Sequence, residues 1–185
     1  MLALDAHQVW TFDDLQKLPE EVDWRRYEIV DGALVVSPGT AFRHEVVSAL
    51  LRDLLWDAGQ PDFFVIGPMA VDVHPSYLIP DLLVVGAELR KTNVNPLPAA
   101  EAHLAVEVVS PGSRTMDRIT KPAEYARVGI PVYLRVDTEP EVSVTAYALE
   151  AGAAVYSELG AWGPGETAHL DRPFAVDIPI DAITP

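Results

Sequence analysis

The chain has 185 residues, of which 49% are hydrophobic and 22% charged, the size and mix of one ordinary globular domain with a single core. It contains no cysteine, which excludes disulfides, zinc–thiolate sites and cysteine catalysis and fits a cytoplasmic protein. The formal net charge of −15 argues against a broad electrostatic grip on nucleic acid, because such proteins draw affinity from basic patches that release counterions at phosphates. No apolar run approaches the roughly 18 residues of a membrane span, and Met1 to Trp10 lacks the basic start and apolar stretch of a signal peptide.

In chain order, Thr11-Phe-Asp-Asp14 predicts a capping box that opens a short helix through about Leu18. Tyr27 to Val30, Asp31-Gly32 and Ala33 to Val36 predict a tight hairpin, since Asp-Gly suits the positive φ angles of a two-residue turn. Ser37 to Thr40 breaks that ladder. Apolar residues at 46, 47, 50, 51, 54 and 55 predict one wide buried face of a helix over 41–56, stopped at Ala58-Gly59. Short strands are expected at Phe63 to Ile66 and Met69 to Val73, then at Pro80 to Val85. Residues 90–100, with two prolines and two asparagines, read as a loop.

His103-Leu-Ala-Val-Glu-Val-Val109 reads as a buried strand, and Ser110 to Ser113 turns the chain after it. A helix follows to a stop at Gly129. Pro122 is tolerated only in a first turn, so the regular helix is expected to start, or to kink, near Thr120. Strands are expected at Pro131 to Val136, Glu141 to Ala148, Ala154 to Glu158 and Phe174 to Ile178, with Gly160 to Gly165 as a turn or loop. There is no internal repeat, and a single domain over residues 1–185 is expected.

Glu107 is the most informative residue. A carboxylate inside an apolar strand costs several kcal/mol, by an order-of-magnitude estimate, unless a metal, a cation or a raised pKa compensates it. Side chains alternate along a strand, so Ala105, Glu107 and Val109 share one face, as do Asp81, Leu83 and Val85. If the two strands are neighbours, Asp81 and Glu107 converge, and two hard oxygen ligands suit Mg²⁺ or Mn²⁺. The plainer readings are a turn residue after proline for Asp81 and a buried ion pair with an arginine for Glu107. Lys121 can position a water or neutralise charge on a phosphate; otherwise it is an exposed lysine paired with Asp117. Glu28 is a third acid or the solvent face of an amphipathic strand. His44 is a phosphate or water contact or a structural histidine. Arg114, Arg118, Lys121 and Arg127 form either a local basic strip or a solvated helix face. No glycine-rich phosphate loop, Gly-x-Ser-x-Gly or His-Glu-x-x-His is present, and His7, His74, His103 and His169 show no metal-ligand spacing.

The ordered set Tyr27 to Gly32, Val35-Val-Ser-Pro38, His44, Pro80-Asp81, Glu107-Val-Val-Ser-Pro111, Arg114, Asp117, Lys121, Tyr125-Ala126, Gly129-Ile-Pro131 and Val136-Asp137 resembles the Uma-type family of bacterial restriction-endonuclease-like proteins, in the PD-(D/E)XK nuclease-like superfamily. The likeness runs from about Trp10 to the C-terminus. It implies an α/β restriction-endonuclease-like core, a central mixed β-sheet flanked by helices, with an N-terminal β-hairpin and a β-rich C-terminus. It also implies a divalent-metal site. Asp81 matches the acid of the Pro-Asp motif, Glu107 the second acid and Glu28 the acid of the first motif. Val109 stands where the general superfamily pattern has its lysine, and Lys121 on the following helix takes that role. Two departures from the family's pattern are Pro122 directly after Lys121 and Leu134-Arg135 in place of Trp-Leu.

The resulting expectation is a Mg²⁺- or Mn²⁺-dependent endonuclease acting on nucleic acid, DNA first, with Glu28, Asp81, Glu107 and Lys121 as catalytic residues. Asp81, Glu107 and the backbone carbonyl of Val108 would hold the metal. A homodimer is expected because cutting both strands of a duplex favours two sites. The alternatives are a nuclease-fold protein that binds without turnover, and an interaction domain whose acids all sit in ion pairs.

Overall fold

The computed structural model describes residues 9–18, 26–110 and 114–185. His7 and Pro111 to Ser113, the latter part of the expected turn, lie outside them. The hairpin forms as expected from β1 (Arg26–Val30) and β2 (Ala33–Ser37), with φ of 49° at Asp31 and 75° at Gly32 between them. The first helix, α1 (Phe12–Gln16), is shorter than expected. The Asp14 carboxylate closes its start, accepting hydrogen bonds from the Thr11 amide at 3.1 Å and the Thr11 hydroxyl at 2.6 Å.

The long helix α2 (Phe42–Gly59) buries His44, Val47, Ser48, Leu51 and Leu55, a stripe at three- and four-residue spacing. The stripe is rotated from the expected face. Leu50 is exposed, while polar His44 and Ser48 turn inward. Short strands β3 (Phe63–Ile66), β4 (Val71–Val73) and β5 (Ser76–Leu78) precede β6 (Leu82–Gly86). β5 was not expected, and the loop predicted over 90–100 holds a two-residue strand, β7 (Leu97–Pro98). β8 is Ala102–Val109.

The helix after β8 carries its irregularity where Pro122 demands one. A π-helical turn, Met116–Thr120, runs directly into α3 (Lys121–Arg127). Proline lacks the amide that would continue the ladder, so the chain widens just ahead of it. After α3 come β9 (Val132–Asp137), β10 (Ser143–Ala148), β11 (Ser157–Trp162), β12 (Thr167–Leu170) and β13 (Val176–Pro179). β11 lies three residues later than expected and extends through Gly160, which was read as a turn. β12 was not expected.

A six-stranded mixed sheet, in the order β11-β10-β9-β8-β6-β3, forms the centre. Only β8 and β9 run parallel, as the α3 crossover between them requires. One face packs on α2 and the β12–β13 hairpin through Leu82, Val84, Leu104, Val106 and Val108. The other face packs through Leu83, Val85, Ala105 and Tyr133, together with Tyr125 of α3, against a second sheet, β2-β1-β5-β4-β7. The expected mixed α/β core is therefore present, but its second face is covered largely by strands. The antiparallel register Leu82↔Val106 and Leu83↔Ala105, carried one step further, sets Asp81 opposite Glu107 where the two sheets and the start of α2 meet.

Candidate active site

Asp81 lies just before β6, its amide donating to the Val106 carbonyl at 3.0 Å. Gly67 crosses it so closely that a Cβ there would collide with the Asp81 carbonyl oxygen. Both carboxylate oxygens are engaged. Oδ1 accepts from the Arg26 guanidinium at 2.7 Å. Oδ2 accepts from the Val108 amide at 2.7 Å and lies 3.2 Å from His44 Nε2. Burial alone would raise the Asp81 pKa, but the hydrogen bond and charge of His44, with the charges of Arg26 and Lys121, hold it down at about 2. His44 in turn is pushed down by burial, but the hydrogen bond and charge of Asp81, with the charge of Glu45, raise its pKa overall.

Glu107, 1% exposed, receives the Tyr125 hydroxyl at 2.7 Å and the Lys121 ammonium at 3.0 Å. Burial drives its pKa well above the ordinary carboxylate range, against the pull of Lys121. Lys121 is equally buried. Its Nζ also lies 3.1 Å from Glu28 and 3.8 Å from Asp117, and donates to the Ile79 carbonyl at 3.3 Å. Burial opposes its charge, yet the surrounding carboxylates led by Glu107 raise its pKa, so it stays an ammonium. Glu28 is buried and accepts the Ile79 amide at 2.7 Å, tying β1 to the end of β5.

Four carboxylates (Glu28, Asp81, Glu107 and Asp117) thus surround two permanent cations, Arg26 and Lys121, on the wall of a cavity of about 430 Å³. All four residues expected from sequence are brought together. The exposed readings of Lys121 and Glu28 fall, since both are buried. The ion pair foreseen for Glu107 exists, but with Lys121 instead of an arginine, and the Tyr125 hydroxyl adds a hydrogen bond. His44 takes the structural reading, and does so at the site: its Nε2 braces Asp81 from the cavity wall. Arg26 and the hydroxyl of Tyr125 were missed. Tyr125 stands one helical turn after Lys121, a spacing that could have flagged it; Arg26 gave no signal. The basic strip is spent locally: Arg114 pairs with Glu139, Arg118 with Asp137, and Arg127 with Glu124 and the Val73 and His74 carbonyls. Arg135, at a departure from the family pattern, binds Asp137, Thr145 and Tyr147 on the sheet surface.

Among the described residues, no three His, Asp or Glu side chains form a metal cage by themselves. Magnesium does not need one: it is commonly held by one or two carboxylates with waters and substrate phosphate. The donor set Asp81 and Glu107 fits that chemistry, and the excess of carboxylate over cation leaves room for positive charge. Among the described residues, no helix is long and apolar enough to cross a membrane.

The architecture is a nuclease-like α/β fold. A solved structure described as a "putative nuclease belonging to DUF820 from Anabaena variabilis ATCC 29413" matches it with a TM-score of 0.70, covering 94% of this chain and 97% of that chain at 16% identity, a likeness of fold. The chain belongs to the Uma2 family, described as "Putative restriction endonuclease", whose sequence profile matches residues 12–181. No curated protein matches it.

Proposed function

We propose that the protein is a Mg²⁺- or Mn²⁺-dependent endonuclease that hydrolyses phosphodiester bonds of nucleic acid, DNA before RNA. The observation that carries this reading is the buried lysine clamped between Glu107 and Glu28 beside Asp81, with both acids of the pair at one cavity. Asp81, Glu107 and the Val108 carbonyl would hold the ion. When bound, the ion supplies Lewis-acid polarisation of the phosphate and a more acidic water. Lys121, held protonated, stabilises the charge that develops on the phosphate. Glu28 aims Lys121, Tyr125 aims Glu107, and Arg26 and His44 aim Asp81. A homodimer in the cytoplasm, placing two such sites on a duplex, completes the reading.

The test is cleavage of single- and double-stranded DNA and RNA with Mg²⁺ or Mn²⁺. Asp81→Asn and Lys121→Ala are each expected to lose ~100-fold or more of the rate, the scale on which one preorganised electrostatic group counts. Wild-type protein that cuts none of these substrates overturns the proposal.

The second reading is a protein of this fold that binds without turnover. It is favoured by the full engagement of Asp81 with Arg26, His44 and Val108, and by the net charge of −15. Saturable Mn²⁺ binding with no cleavage would select it.

A further inference from the structure

Beside the acid cavity lies a second cleft of about 480 Å³, within the roughly 300–1,000 Å³ of small-molecule sites. Its walls include the rings of Phe12, Tyr27 and Tyr77 and the thioether of Met69, with Arg26 and Asn95 among its polar groups. The Phe12 and Tyr77 rings stand 5.2 Å apart at 34°. These three rings are only half-buried, unlike the core tyrosines Tyr125 and Tyr133. Aromatic faces left at the surface around a cleft are stacking platforms in search of a flat ligand.

Two features tie this cleft to the acid site. Arg26 lines both cavities and donates to Asp81, and the segment Pro38 to Thr40 borders both. A strand whose phosphate lies at Asp81 therefore has a nucleoside beside the cleft. Electrostatics adds a second argument. The net charge is −15, and Arg114, Arg118 and Arg127, the basic strip after β8, are each in an ion pair, so that strip offers little backbone-neutralising surface. On so acidic a protein, affinity for a polyanion gains from a contact that does not depend on charge, and base stacking is such a contact. An amide and a guanidinium at the same cleft supply donors for a base edge.

We infer that the Phe12–Tyr27–Tyr77 cleft binds an unstacked nucleobase, so that the substrate is engaged as a single strand or a locally opened duplex. This rests on the phosphodiesterase reading, but its test is separable. Anisotropy with labelled DNA and RNA oligonucleotides, in buffer without divalent ions, measures binding apart from cleavage. Single strands should bind at least ~10-fold more tightly than duplexes. Phe12→Ala and Tyr77→Ala should each weaken single-strand binding ~10-fold, within the range for loss of one stacking partner, while Tyr77→Phe should not. An abasic strand should bind wild type as weakly as the intact strand binds the variants. Phe12 sits on α1, which buries no residue, so its replacement should leave the fold and its circular dichroism unchanged. No binding, equal binding of duplex and single strand, or indifference to these substitutions or to base removal overturns the inference. The same samples given Mn²⁺ separate the two proposals. Base-dependent binding without cleavage sinks the nuclease and keeps the cleft; cleavage without base dependence does the reverse.

Discussion

β8 presents two different worlds to its two sides. Leu104, Val106 and Val108 pack into a dry core with α2 and the β12–β13 hairpin. One residue out of phase, Glu107 faces a lysine, a tyrosine and three further acids. The contrast teaches where the stability resides. A buried charge cluster roughly breaks even at best, because desolvation offsets attraction. Burial of apolar surface on the other face must therefore hold the strand in place. That division lets a buried charge cluster stay poorly neutralised without unfolding the sheet around it.

The sharpest way to break the contrast is Lys121→Ala. It leaves Glu107, Glu28 and Asp117 without their shared ammonium, and removing one partner of a buried pair costs about 3–5 kcal/mol. Urea unfolding should show this loss together with loss of cleavage. Leu104→Ala, on the dry face, should cost about 3 kcal/mol as a core truncation. Its cleavage rate per folded molecule should match wild type, which an unfolding curve and an assay below the transition would verify together.

Acid titration sharpens the comparison further. Asp81 has a folded-state pKa of about 2 against an ordinary 3.8, so its carboxylate releases its proton more readily in the folded state. Its contribution, about 2 kcal/mol from that difference, is present above pH ~4 and is lost as pH falls through ~2. Glu107 has the opposite sign. Its raised pKa makes stability fall as pH climbs above the ordinary 4.5, and Glu107→Gln should flatten that limb while leaving the Asp81 limb intact. Chemical unfolding of the metal-free protein across this range would resolve both.

The smallest effect concerns Arg26, which occupies Asp81 Oδ1. Arg26→Gln should tighten Mn²⁺ binding ~10-fold by calorimetry, because a cation competing for the carboxylate is gone. Unchanged or weaker affinity would mean that Arg26 and the ion do not compete.

Much of the site was legible because burying charge is expensive. Glu107 stands out in an apolar run for that reason, and the Pro-Asp and helix-borne lysine motifs stand at family spacing. The Asp31-Gly32 hairpin was legible because its backbone angles admit few residues. β11 was misplaced because it is the edge strand and mostly exposed, so its residues lack the alternation that marks a half-buried strand. β5, three residues long, carries too little pattern to read. The face of α2 was misjudged because His44 and Ser48 turn inward at the acid site, where polarity is no bar to burial.

The sequence by itself determined the mixed α/β class and singled out Glu107, since strand alternation and the cost of a buried charge act over short stretches of chain, while its ordered motifs gave the family and, through that resemblance, Asp81, Glu28 and Lys121. Only the tertiary structure decided who answers those charges. Arg26 reaches Asp81 across 55 positions and Lys121 reaches the Ile79 carbonyl across 42. Such partners are chosen by how two sheets and a helix pack, which no local pattern encodes.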